Sequence, residues 1–143
     1  MRHIRLTAAM MAVVALLVTP AAGMAATAPK KAPAPVAAPS QFDQGYAAYS
    51  RGDFATALSL WRPLADQGNA DAQGNLGVMY AKGQGVPQDY VQAHKWYNLG
   101  SARATAAEVR DRNAKNRDIV AAKMTPAQIA EAQRLASAWN PTQ

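Results

Sequence analysis

Few residues in this chain of 143 amino acids could carry a reaction. There is no cysteine and only two histidines, His3 and His94. Nucleophilic catalysis needs a nucleophile, a base and an orienting group, so a serine or cysteine triad has little material here. His94 lies among Gln92, Lys95 and Asn98, on what reads as the polar side of a helix. No partner ligand stands three or four residues away, so a catalytic or metal role has no support, and the expectation is an exposed histidine with no metal and no cofactor. The carboxylates are scattered. Asp66 and Asp71 flank a helix junction, Asp53 and Asp89 stand where helix caps are needed, and Glu108, Asp111 and Asp118 alternate with arginines. Each has a structural task available. An acid and base pair drawn from distant positions, such as Asp53 and Asp89, would make an envelope hydrolase; no spacing in the sequence favours it, and the expectation is no enzyme and no catalytic residue. The Gly83 to Gly85 loop leaves a helix and lacks the lysine step of a phosphate-binding loop. A basic stretch sets Arg103, Arg110, Arg112, Lys115, Arg117 and Lys123 against Glu108, Asp111 and Asp118, net +3. It reads as a solvated helix face, with docking on a membrane or larger complex as the alternative. Without aromatics it is poorly suited to stacking on nucleic acid, and no nucleic-acid partner is expected.

The elements that would position these residues are helical. From Gly68 to Tyr97 the sequence reads GNADAQGNLGVMYAKGQGVPQDYVQAHKWY. Ala72, Leu76, Met79 and Tyr80 fall on one stripe of a 3.6-residue helix. Tyr90, Ala93, Tyr97 and Gly100 share a face of a second helix, with Trp96 beside it. Between the two, Gly83, Gln84, Gly85, Val86 and Pro87 break the helix, since glycine is costly there and proline lacks the N–H.

This stretch resembles a Sel-like repeat, a relative of the tetratricopeptide repeat. The resemblance is carried by Gly68, Asn69, Ala70, Ala72, Gln73, Leu76, Gly77, Met79, Tyr80, Gly83, Gly85, Val86, Pro87, Asp89, Tyr90, Ala93, Trp96 and Tyr97. It implies an all-α array of stacked antiparallel helix pairs that bind proteins or peptides, and it implies no chemistry. Residues 41–67 look like an earlier, degenerate unit. Phe42, Gly45, Tyr46 and Tyr49 mark a helix ending near Gly52, and Asp53 caps the next, whose stripe is Phe54, Ala57, Leu58, Trp61, Leu64 and Ala65. Pro63 interrupts that stripe and predicts a kink or a locally opened turn. In the tetratricopeptide-like family the first helix of each pair lines a concave groove. Aligning the Leu76–Gly77 step with that pattern sends Asn75, Val78 and Lys82 to the groove, and aligning Gly45 likewise sends Phe42, Tyr46 and Tyr49 there. These six are the candidate protein-binding residues.

After the repeat of residues 68–100, residues 101–143 read as a C-terminal helical cap. Ser101 to Lys123 is polar but rich in helix formers, with a weak stripe through Ala106, Val109, Asn113 or Ala114, Val120 and Ala121, and the sequence allows a break near Asn113–Asn116. The last helix is clearer. Thr125, Pro126 and Gln128 supply an N-cap, an N1 proline and a capping box, and Ile129, Ala132, Leu135, Ala136 and Trp139 make its apolar face. Residues 116–139 also resemble the tail found after such repeats. Two repeats alone would leave an apolar end open, which a terminal helix would cover.

The N-terminus reads as an address. Arg2, His3 and Arg5 precede an uncharged apolar run from Leu6 to Val18, then Pro20 and small residues, the pattern of a signal peptide cleaved after Ala25. The alternative is an inner-membrane anchor spanning residues 6–26. With no cysteine after the apolar run, an exported lipoprotein is excluded. The formal charge of +6 falls by two, to +4, once Arg2 and Arg5 leave. Residues 26–40 are rich in proline and alanine with too little apolar surface to fold, and read as a linker. The expectation is a short exported bacterial protein, periplasmic, whose partner is another envelope protein or peptide and whose membrane contact is confined to an uncleaved signal segment.

Overall fold

The computed structural model describes residues 37–142. The signal segment of residues 1–25 and the linker as far as residue 36 lie outside the described residues. Six helices follow in order: α1 Gln41–Ser50, α2 Phe54–Asp66, α3 Ala70–Lys82, α4 Tyr90–Arg103, α5 Ala107–Ala121 and α6 Pro126–Ala138. No strand occurs among the described residues, and the fold is an all-α, tetratricopeptide-like repeat array.

The helix starts are written in side chains. The first N–H groups of a helix lack intrahelical acceptors, and Ser40, Asp53, Asn69, Asp89 and Thr125 each supply one to the backbone three residues on. Ser40 with Asp43 and Thr125 with Gln128 close reciprocal capping boxes. Only α5 begins without a side-chain cap, at Ala106. The α3–α4 loop turns on Gly83, a left-handed C-cap at φ +67°, and on Gly85 at φ +70°, where a side chain would also collide with the Phe54 carbonyl.

Helices α1 and α2 pack as one hairpin and α3 and α4 as the next, with α2 against α3 joining the two. Helix α5 packs on α4 and touches α3, whereas α6 lies along α4 instead of closing a third pair with α5. The main core runs through Ala48, Ala57, Trp61, Ala65, Leu76, Met79, Trp96 and Leu99, and Ala136 and Trp139 join it from the C-terminal end. A smaller cluster of Ala93, Tyr97 and Val120 seals α4 to α5. Beyond α6 the Thr142 amide donates to the Asp66 carbonyl at 2.8 Å, tying the tail to the end of α2.

Close approach is bought with glycine in both hairpins. Gly45 on α1 faces the Trp61 indole so closely that any Cβ would overlap it, and Gly77 on α3 faces Tyr97 in the same way, its Cβ falling 2.6 Å from two ring carbons. A third contact of this kind fixes α5. The side chain of Asn113, fully buried, sits against Gly74 and Gly100 and donates to the Ala70 carbonyl at 3.3 Å.

Helix α2 runs on through Pro63 to Asp66, so this proline does not end it. Two sequence expectations are corrected. Residues 101–103 belong to α4, and the break lies at residues 104–106; α5 is unbroken across Asn113–Asn116, held by the buried Asn113. His94 is not exposed. It is only 3% accessible, because α5 covers the side of α4 that sequence alone marks as polar.

Candidate functional site

Helices α1 and α3, with Trp61 of α2 between them, enclose a groove of about 220 Å³ lined by Tyr46, Tyr49, Trp61, Asn75 and Val78. Its floor is the consequence of Gly45. With no Cβ there, the indole of Trp61 seats against α1 and its Nε1 donates to the Phe42 carbonyl at 3.1 Å. Tyr49 is held on three sides: its ring centroid lies 5.6 Å from that of Trp61 and 5.3 Å from that of Phe54, the latter edge-on, and its hydroxyl donates to Gln84 Oε1 at 2.7 Å. Tyr46, one turn earlier, is 62% exposed and stands at the rim. A rigid aromatic wall beside one free tyrosine and the Asn75 amide makes a mainly apolar surface with a single amide at its edge.

The structure thus brings together four of the six candidate residues, Tyr46, Tyr49, Asn75 and Val78. Phe42 does not line the groove. It turns to the core against Trp61, ring centroids 6.0 Å apart. Lys82 is exposed in the last turn of α3, away from the lining. Trp61 was readable in the sequence only as a member of a buried stripe, and the signal that it also floors a groove was the missing side chain at Gly45.

The titratable groups do not converge. The Asp53 carboxylate caps α2 and is held below its usual range chiefly by hydrogen bonds from Thr56. Asp89 caps α4 by accepting from the Gln92 amide. Among the described residues no three of His, Cys, Asp and Glu gather as metal ligands. His94 lies within range of the Arg117 and Asp118 charges of α5; burial first, then the Arg117 charge, lower its pKa, while Asp118 opposes them. Its Nδ1 is buried with no hydrogen-bond partner. Behind the groove, burial and then Tyr49 push the Tyr97 phenol up to about 12, so it stays neutral. In the basic stretch Arg112 pairs with Asp71 at 2.6 Å and Arg117 with Asp118 at 2.9 Å. A second recess, about 270 Å³, opens where α3 and α5 begin, but its Asn69 is already engaged by the Ala72 amide and its Asp71 by Arg112. Among the described residues no helix is long and apolar enough to cross a membrane.

Comparison with known proteins agrees with this architecture. Residues 70–103, the stretch from α3 to the end of α4, match the family model of the Sel1 repeat. Among solved structures the chain is similar to the crystal structure of a protective antigen present in uropathogenic Escherichia coli strains, which displays an SLR fold. The TM-score is 0.61 and the identity 33%, over 69% of this chain and 21% of that one, so the present chain spans about a fifth of the antigen's length. No curated protein matches the chain. Proteins built from such repeats are typically non-catalytic modules of protein–protein interaction. The glycine-closed hairpin of α3 and α4, the loop at Gly83 and the match over residues 70–103 together identify this stretch of the chain as a Sel1 repeat.

Proposed function

We propose that this protein is exported to the periplasm, loses residues 1–25, and there holds a peptide or protein segment of another envelope protein in the groove between α1 and α3. One observation carries the reading: a preformed cavity with an aromatic floor beside Tyr46, a large side chain left 62% exposed. Exposed aromatics on a rigid support supply contact area at little entropic cost, which is what an interaction site needs. The address rests on the basic, apolar and small-residue order of the N-terminus.

A photo-crosslinking benzoylphenylalanine in place of Tyr46 tests the groove in living cells. It captures a defined envelope partner, and the crosslink disappears in a Val78→Glu background whose circular dichroism is unchanged. A crosslink that survives Val78→Glu would move the binding surface elsewhere. Sequencing the mature N-terminus from the periplasmic fraction tests the address, with Ala26 expected as the first residue.

A further inference from the structure

The carboxylates are unevenly shared among the cations. Arg110, Arg112, Arg117 and Arg134 each have one within ion-pair distance. Arg62 of α2 and Lys95 of α4 have none within 4.0 Å among the described residues and rest on aromatic rings instead. The Arg62 guanidinium lies 5.7 Å from the centroid of the Trp96 ring, and one of its nitrogens donates to the Tyr80 hydroxyl at 2.7 Å. The Lys95 ammonium lies 4.3 Å from the same Trp96 ring. Two like charges therefore share one indole and stand no more than about 10 Å apart.

Their setting marks them as more than solvated side chains. Both residues are half-buried while the indole beneath them is 1% exposed. Burial first and the Arg62 charge second lower the pKa of Lys95, and Asp66 opposes this only from beyond ion-pair distance. Several donors around the ring are unused: the remaining guanidinium N–H groups, the ammonium, and Trp96 Nε1, which is buried without a partner. A guanidinium held against aromatic rings keeps its N–H edge free and loses little freedom on binding, the arrangement that suits a forked oxygen acceptor.

We propose that Arg62 and Lys95 form an oxyanion-binding site beside Trp96, taking the carboxylate or phosphate group of a small molecule. None of these residues lines the groove between α1 and α3, so the site stands or falls independently of peptide binding.

The test titrates the full chain with sodium phosphate at neutral pH and fixed ionic strength, chloride being exchanged out, and follows tryptophan fluorescence and melting temperature. A saturable fluorescence change with a rise in melting temperature is expected. Lys95→Met and Arg62→Met each weaken the affinity about tenfold or more, the loss of one charge-assisted hydrogen bond. Arg112→Met, which removes a cation already paired on α5, leaves it unchanged. Sodium acetate run in parallel tells a carboxylate site from a phosphate site, and saturation by either probe sustains the proposal. No saturable response beyond chloride with either probe, or a response kept in Lys95→Met, overturns it. Should Arg62→Met fail to fold, the side-chain NMR titration of Lys95 decides alone: the bound anion raises its pKa, and an unmoved titration refutes the site.

Discussion

Replacing Gly77 with alanine sets two well-characterised effects against each other. In a helix interior alanine is favoured over glycine by about 1 kcal/mol, so propensity alone predicts a more stable protein. Packing predicts the reverse. The new Cβ would lie 2.6 Å from Tyr97 Cδ1 and Cε1 and 3.0 Å from Cγ, well inside contact distance. Tyr97 has little room to yield, being 4% exposed and packed with Ala93 and Val120. Forcing one methyl into a well-packed core costs about 1–3 kcal/mol, and three short contacts place this site in the upper part of that range. The net expectation is a loss of about 1–2 kcal/mol. For a domain of this size that lowers the melting temperature by roughly 4–16 °C. Far-UV circular dichroism on heating, with urea unfolding followed by fluorescence, measures it. A companion cycle isolates the cause: in a Tyr97→Leu background the clash is relieved and Gly77→Ala becomes neutral or stabilising. An unchanged or raised melting temperature for the single variant would refute the claim that glycine is required here for close approach.

Deleting residues from Thr125 onward removes α6 and its cover over α4. Fully burying one large side chain such as Trp139 is worth about 1.5–3 kcal/mol, so the truncated chain should melt lower or aggregate, and an unshifted melting curve would sink the capping role. Thr125→Ala removes one half of a capping box and should cost about 1 kcal/mol in urea unfolding, with Thr125→Ser close to wild type. His94, whose folded pKa lies below its ordinary 6.5, contributes stability that is complete above 6.5 and lost as pH falls through the lowered folded value, because the unfolded chain then binds the extra proton. Chemical denaturation at a series of pH values should show this slope in the wild type and a flatter profile in His94→Gln; equal slopes would show that His94 is not its source.

Much of the fold was legible because caps and periodicity act locally. Asp53, Asp89 and Thr125 announce helix starts by the oxygen they place three residues before an amide, and the stripes through Leu76 and Trp61 mark buried faces. What escaped depends on how many neighbours a helix has. Helix α4 is packed by α3, α5 and α6, so the side of it that carries His94 is covered even though its sequence is polar. Asn113 is buried for the same reason, in a helix whose composition suggests a solvated rod. The break at residues 104–106 has neither glycine nor proline to signal it. As for the groove, Tyr46, Asn75 and Val78 were reached through family resemblance and not through periodicity. The turn of Phe42 toward Trp61 was settled by indole packing over Gly45, a contact between helices that no single helix pattern contains.

Helical repeat arrays ordinarily fray from their ends, each unit depending only on its neighbours. The bond from the Thr142 amide to the Asp66 carbonyl, with Trp139 packed into the same core as Trp61, gives this array a long-range closure between its tail and its first hairpin. These contacts join residues far apart in sequence, and the chain must close that loop before the contacts reward it. The array should therefore fold more slowly than its helix content suggests, and unfold as one cooperative unit instead of peeling from the C-terminus.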